Sequence, residues 1–341
     1  MAKVKVPLKK LISFYVRFTP SYSKIGYHAR SLLWRRTREN FAGQTWLVTG
    51  GSEGIGGSAG RSAVHGGATV IAAARDIGKL KAFADSTDHP QNVIAEVADF
   101  SLQRDIMALV ERLHSRGTRI DVLVNNVGIQ KHDQILTPEG IEFSFATNIL
   151  GHYLLTRELL ARGLLADDAV VIEVSSGGMY NHAMVVKDLN ITGEGYLGVR
   201  AYGLAKRAQV MLARYWRERD PQSRRSFYAM HPGWTRTASV GRSMPRFVAI
   251  LKSVLRKHHQ GADTIVWLAA TRPEHKLQEQ IWFDRKERSS HIYAHTPLST
   301  ATCADVARTL ESLVLAPASA AANANARSPA QRAVAKSALA A

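Results

Sequence analysis

The chain is short of cysteine, of acid and of long apolar runs. Cys303 is the only cysteine in 341 residues, which excludes an intrachain disulfide and any zinc site built on cysteines. No other metal-ligand spacing stands out: His258-His259 lacks acidic or cysteine company and reads as a solvated helix end, so no metal is expected. Asp and Glu number 28 against 45 Lys and Arg, a formal charge of +17. That balance points to anionic partners, whether a phosphate-bearing cofactor, a membrane surface or nucleic acid. No stretch approaches the about 20 apolar residues that span a bilayer, and a signal-peptide core with a small-residue cleavage site is missing. The expectation is a cytoplasmic chain, at most peripheral at a membrane surface. Internal repeats are absent, and the length suits one large α/β domain with extensions or two small domains.

What is present starts with a basic segment. Residues 1–40 carry Lys3, Lys5, Lys9, Lys10, Arg17, Lys24, Arg30, Arg35, Arg36 and Arg38 against Glu39, with Leu8, Leu11, Ile12, Tyr15, Val16 and Phe18 interleaved at helical spacing. A basic amphipathic helix of this kind either lies in the headgroup layer of a membrane or packs on the protein's own surface or a subunit contact. From Gln44 the pattern alternates. Apolar runs at 45–49, 68–74, 92–97, 119–125, 169–174 and 226–230, with Gln280–Phe283 last, are separated by helix-like segments. Near-continuous apolar strands between helices predict βαβ units, hence an α/β, Rossmann-like, doubly wound parallel sheet. The expected organisation is a basic extension over 1–43, the α/β domain over 44–300, a C-terminal helix over 301–316 and a disordered tail of Ala, Ser, Asn and Arg over 317–341.

The stretch Thr49-Gly50-Gly51-Ser52-Glu53-Gly54-Ile55-Gly56 follows the first apolar run and opens a helix-like segment. A strand that ends in a glycine turn and feeds a helix leaves unpaired N–H groups at the positive helix end, a site for pyrophosphate. Gly50 permits the turn, Gly54 lets the backbone approach phosphate, and Gly56 lets the helix sit close on the sheet. The second run ends in Arg75, where an NAD site would place an acid for the ribose hydroxyls. A guanidinium there suits a 2′-phosphate, so NADP is expected over NAD. Asp76 reads as a helix N-cap. Asp99, after the third run, can accept from an adenine amino group or cap the next helix. Asn126 and Gly128, in Asn125-Asn126-Val127-Gly128, close the fourth run at the carboxyl edge where open sheets bind ligands.

Ser176 ends the fifth run, and Tyr202 and Lys206 sit at i and i+4 on the next helix, so they share a face. A nearby ammonium favours a phenolate and suits Tyr202 to general acid–base work. Ser176 can donate to a substrate oxygen as charge develops on it. Asn148 lies inside a long helical segment, where it needs a partner and can hold a water beside a lysine.

Taken together, T-G-x-x-x-G-I-G (Thr49 to Gly56), N-N-x-G (Asn125 to Gly128), Asn148, Ser176 and Y-x-x-x-K (Tyr202 to Lys206) resemble the short-chain dehydrogenase/reductase family over residues 44–285. The resemblance implies Tyr202 as general acid/base, Ser176 positioning a carbonyl oxygen, Lys206 binding the nicotinamide ribose and lowering the Tyr202 pKa, and Asn148 supporting a proton relay. It also implies cofactor contacts at Pro232-Gly233 and at Thr237, and pairing into a homodimer through the helices bearing Asn148 and Tyr202. Val127 replaces the usual alanine of N-N-A-G. The long segment between Ser176 and Tyr202 resembles retinol-dehydrogenase-like branches. His231-Pro232-Gly233-Trp234, Met244-Pro245, Gln260 to Thr264 and Asp284-Arg285-Lys286, with Tyr22, Gly26 and Tyr27, resemble one orphan subgroup of the family.

The expected function is an NADP(H)-dependent oxidoreductase interconverting a lipophilic alcohol and its aldehyde or ketone; the alternative is an NADP(H)-binding sensor or scaffold without turnover. Residues 234–257 read as a lid over the substrate or as a fixed pair of surface helices. His152 and Trp282 read as core or subunit-contact residues. Nucleic-acid binding is not expected, because the basic residues carry no aromatic-interleaved motif and Arg214 to Arg225 includes Glu218 and Asp220.

Overall fold

The computed structural model describes residues 16–276, 280–299 and 301–315. Eight strands form one sheet: β1 Thr45–Thr49, β2 Thr69–Ala74, β3 Val93–Val97, β4 Ile120–Asn125, β5 Leu165–Val174, β6 Ser226–Met230, β7 Gln280–Phe283 and β8 Lys286–Ser289. Their order is β3-β2-β1-β4-β5-β6-β7-β8. All neighbours pair in parallel except β7 and β8, which form an antiparallel hairpin. Strand order reverses between β1 and β4, and ligands of open sheets bind at that switch point, outside the carboxyl ends. The expected doubly wound sheet is therefore the observed one.

Among the described residues the helices that accompany it include α1 Lys24–Ser31, α2 Gly54–His65, α3 Ile77–Asp85, α4 Gln103–Ser115, α5 Gly151–Ala161, α6 Gly198–Arg219, α7 Ala238–Ser243, α8 Pro245–Leu251, α9 His258–Thr271 and α10 Cys303–Ser312. Successive strand residues face opposite sides. Leu47, Ile71, Leu123 and Val171 pack against α4, α5, α6 and α10, whereas Trp46, Val48, Val122 and Ile172 pack against α2 and α9. Each such side chain contributes about 1.5–3 kcal/mol by leaving water. None of these helices is long and apolar enough to cross a membrane.

Two details depart from the sequence reading, and a third selects between its alternatives. β5 begins at Leu165 rather than 169, because Leu165 pairs with Ile120 before a register shift, and exposed Asp167 breaks the apolar run. β8 was not anticipated: Lys286-Glu287-Arg288-Ser289 has no apolar face, as an edge strand needs none. Asp284 and Arg285, between β7 and β8, both have positive φ, 50° and 55°, the two-residue turn that matches hairpin twist. Finally, residues 16–22 and α1 pack on the protein's own surface, one of the readings of the basic segment, the Lys24 amide donating to the Val254 carbonyl at 2.9 Å. Gly26 makes that possible, since a Cβ there would meet the Pro20 and Ser21 carbonyl oxygens at 2.4 Å. The rest of the basic segment, 1–15, and the tail from 316 lie outside the described residues.

Candidate active site

The glycine turn lies at the end of β1. Gly50 and Gly54 have φ of 64° and 65°, which favour glycine. A Cβ on Gly56 would lie 2.4 Å from Asn126 Nδ2, so Gly56 lets α2 close onto the β4 turn as well as the sheet. Thr49 Oγ1 accepts from the amides of Asn126 (2.9 Å) and Val127 (3.0 Å) and donates to the Val124 carbonyl (3.2 Å). Asn126 Nδ2 donates back to the Thr49 carbonyl at 2.8 Å. The carboxyl ends of β1 and β4 are thereby fixed to one another at the switch point.

A dinucleotide fits here. No side chain caps the N-terminus of α2, leaving its first N–H groups for an anion. A Cβ added at Gly54 would meet nothing nearer than Thr237 Cγ2 at 3.8 Å, so the backbone is open to a close approach. Ser52, Ile55, Gly128, Pro232 and Gly233 line the same cavity, of about 640 Å³. Thr237 caps α7, its Oγ1 accepting from the Val240 amide at 3.2 Å. Glu53 points outward to Lys79 (3.1 Å). Arg75, largely exposed, faces Asp99 at 3.8 Å. Asp99 has a second use as well: its Oδ1 accepts from the amide and hydroxyl of Ser101 (2.9 and 2.8 Å). Asp76 caps α3 by accepting from the Lys79 amide.

The cavity continues to the second constellation. Asn148 sits in a π-helical turn, Ala146–Leu150, ahead of α5; such bulges re-aim side chains, often at functional sites. Its amide is satisfied by Ile129, accepting from the N–H at 2.8 Å and donating to the carbonyl at 2.7 Å. Lys206 Nζ donates to the Val174 carbonyl at 2.9 Å. A Cβ on Gly128 would fall 3.0 Å from Asn148 Oδ1 and 3.1 Å from Lys206 Nζ, so this glycine leaves room for both side chains. Ser176, whose Oγ accepts from the Gly178 amide at 3.2 Å, and Tyr202 line the same cavity, and Lys206 Nζ lies 5.6 Å from the centre of the Tyr202 ring.

Burial dominates the electrostatics of this cluster. It pushes the Tyr202 phenol above its ordinary value, while the Ser176 hydrogen bond pulls the other way. It pulls Lys206 down to about 8, opposed by Glu173. The expectation that the lysine lowers the Tyr202 pKa therefore meets a larger opposing effect in this structure, desolvation of the phenolate.

Behind the cluster is a buried polar layer that sequence reasoning did not find. Glu173 on β5 accepts from Asn125 Nδ2 at 2.7 Å and lies 2.9 Å from His152 Nδ1. His152 Nε2 reaches the Val127 carbonyl at 2.9 Å, and Gln209 Nε2 donates to the Asn148 carbonyl at 3.0 Å. His152 is thus a core residue, and Trp282 is buried on β7. The available clue was Glu173 itself, an acid within an apolar strand, which must find partners.

The excursion 234–257 returns on itself. The Arg256 amide donates to the Trp234 carbonyl (2.9 Å) and the Arg236 amide to the Arg256 carbonyl (3.0 Å). Trp234, Phe247 and Met244 line the cavity from this side, and His182 and Val199 come from the long segment before Tyr202.

The comparisons with known proteins agree with this geometry. The family model for short chain dehydrogenase matches residues 44–246. The Bos taurus protein named dehydrogenase/reductase SDR family member 12, of the orphan subgroup that the sequence resembles, is 33% identical over 84% of this chain and 91% of its own length. Mouse retinol dehydrogenase 14 is 30% identical over 72% of this chain and 79% of its own length. A crystal structure from Mycobacterium paratuberculosis superposes with a TM-score of 0.63 at 25% identity, covering 80% of this chain and 94% of that one. Glycine turn, switch-point asparagines, Ser176 and the Tyr202–Lys206 pair thus stand on the expected strands and helices of one architecture, and the chain belongs to the short-chain dehydrogenase family.

Proposed function

We propose that this protein is an NADP(H)-dependent oxidoreductase that interconverts a lipophilic alcohol and its aldehyde or ketone, with Tyr202 as general acid and base. The observation that carries the reading is one cavity lined by Ser176, Tyr202 and the open glycine turn, with Lys206 Nζ 5.6 Å from the Tyr202 ring. The glycine turn and Thr237 would hold a nicotinamide cofactor, which would supply the hydride. The chain does the rest. Ser176 donates to the substrate oxygen, and Tyr202 gives that oxygen its phenolic proton in reduction or takes it back in oxidation. Lys206, held on the Val174 carbonyl, stabilises the phenolate that reduction leaves behind.

NADP is supported by Arg75, at the ribose position with no acid of its own there. A lipophilic substrate is supported by the aromatic walls and by the retinol dehydrogenase among the relatives. The test is NADPH oxidation across a panel of lipophilic aldehydes and ketones, with NADH in parallel. Turnover preferring NADPH is expected, together with a loss of at least about 10²-fold in Tyr202→Phe while NADPH binding persists. Turnover surviving in Tyr202→Phe sinks the mechanism, and NADPH binding with no turnover on the panel leaves a binding protein.

A further inference from the structure

Two turns of the site end in glycines whose missing side chains would strike the same neighbour. A Cβ on Gly177, next to Ser176, would lie 3.1 Å from Tyr22 Cε2. One on Gly233 would lie 2.8 Å from the Tyr22 carbonyl oxygen. Tyr22 therefore occupies the notch between the β5 and β6 turns, and side chains at either glycine would push it out. Its carbonyl accepts from the Trp234 amide at 2.9 Å. Its ring meets His231, Trp234 and Phe283 edge-on at 4.9, 5.9 and 5.2 Å and tilts against Phe18 at 5.0 Å. Phe18 and Tyr22 both line the cavity that contains Ser176 and Tyr202.

The segment is held there by a buried ion cluster. The Arg256 guanidinium grips Asp284 with two bonds, 2.6 and 2.8 Å, and its Nε donates to the Tyr22 carbonyl at 2.9 Å. Arg30 reaches the same carboxylate from α1 with Nε at 2.7 Å. The Lys24 amide donates to the Val254 carbonyl at 2.9 Å. The N-terminal segment, the 234–257 excursion and the β7–β8 turn are thus bound together around one carboxylate.

We infer that Phe18 and Tyr22 form a wall of the substrate site and determine which carbonyl compounds it accepts, favouring those with a flat apolar ring system beside the reacting carbon. The inference rests on the reading of the cavity as a carbonyl-reducing centre. Trp234, edge-on to Tyr22 at 5.9 Å, and Phe247, which crosses Trp234 edge-on at 5.1 Å, continue the same aromatic surface and give such a ring a large contact area. A small aliphatic aldehyde has little area to place against this wall.

The test uses the full chain with 2-naphthaldehyde and butanal as substrates and 2-naphthalenemethanol as a fluorescent ligand of the NADPH-bound protein. In Tyr22→Ala and Phe18→Ala, the ratio of kcat/KM for 2-naphthaldehyde over butanal is expected to fall by about tenfold or more. The dissociation constant of the naphthyl alcohol should rise by a similar factor, with NADPH affinity changed by less than about twofold. Should Tyr22→Ala fail to fold in a thermal melt, Phe18→Ala decides the question. Equal loss on both aldehydes, with alcohol binding the same in wild type and variants, overturns the wall while leaving the carbonyl-reducing reading intact. A wild type that reduces neither aldehyde defeats that reading instead. Alcohol binding then judges the wall alone, and binding that is absent or unchanged between the proteins overturns it.

Discussion

At the scale of single residues, Tyr202 and Lys206 shift in opposite directions for one reason: burial disfavours the charged form of each, the phenolate and the ammonium. Lys206 in the folded chain releases its proton near pH 8, whereas an unfolded lysine keeps it to about 10.4. Between those values the unfolded state binds more protons, so the buried ammonium costs stability at neutral pH and that cost is relieved as pH rises through the window. Activity runs the other way. In the proposed mechanism the ammonium supports the Tyr202 phenolate, so kcat/KM for NADPH should decline above about pH 8. In Lys206→Arg the guanidinium stays charged, and the alkaline limb of the profile should move up by at least about one pH unit; an unmoved limb would assign the titration to another group. Arg75 makes a separate prediction. Its guanidinium pairs only loosely with Asp99 and is largely exposed, which leaves it available to a 2′-phosphate. Charge-assisted bonds of that kind are worth about 1.5–3 kcal/mol, so Arg75→Ala should weaken NADPH about 10- to 100-fold. NADH should be nearly unaffected in the same titration; equal weakening of both nucleotides would show that Arg75 does not read the phosphate.

At the scale of elements, the β7–β8 turn carries the most strain and the most support. Asp284 and Arg285 both adopt positive φ without being glycine or asparagine, a conformation that persists only where its surroundings over-determine it. Asp284 is held by Arg256 and Arg30, and Arg285 by Asp263 at 2.6–2.8 Å and by the ring of Trp34 at 4.5 Å. Asp284→Ala would leave Arg256, which is 1% exposed, as an uncompensated buried charge. The expected loss is about 3–5 kcal/mol, read as a lower denaturant midpoint. A midpoint unchanged from wild type would mean that the cluster holds nothing. Legibility in the sequence divides along the same line. β1, β2 and β4 were readable because strands covered on both faces are apolar throughout, and the glycine turn and the Tyr202–Lys206 pair because their parts are adjacent in sequence or one helical turn apart. The clamp was not readable. Arg30 and Asp284 are 254 positions apart, and nothing in the periodicity near either one names the other. β8 was hidden because its pattern is polar, and the Glu173–His152 layer because an acid in an apolar strand says that it needs partners without naming them.

At the scale of the whole molecule, α10 decides how copies of this chain can meet. The family resemblance implies pairing through α5 and α6. Here that face already has an occupant: Val306, Ala307 and Leu310 of α10 are buried in the same core as Leu155, Leu212 and Trp216. Tyr153 of α5 stacks on Trp216 of α6 at 5.4 Å and donates to Glu311 of α10 at 2.8 Å, while Arg157 of α5 donates to Glu311 at 2.6 Å. The far end of α10 is tied down as well, since Gln103 Nε2 donates to the Leu313 carbonyl and its Oε1 accepts from the Leu315 amide, both at 3.0 Å. A stable dimer needs about 800 Å² of free surface on each partner, and a helix spliced across α5 and α6 withholds it. The full chain should therefore sediment as a monomer at micromolar concentration. A chain ending at Ser299 should expose Trp216 and Tyr153 and sediment as a dimer or larger species, because bare apolar surface of that kind marks an association site. A full-length dimer that persists in Glu311→Ala would place the pairing surface elsewhere. A full-length dimer abolished by that change would mean that α10 builds the interface instead of blocking it.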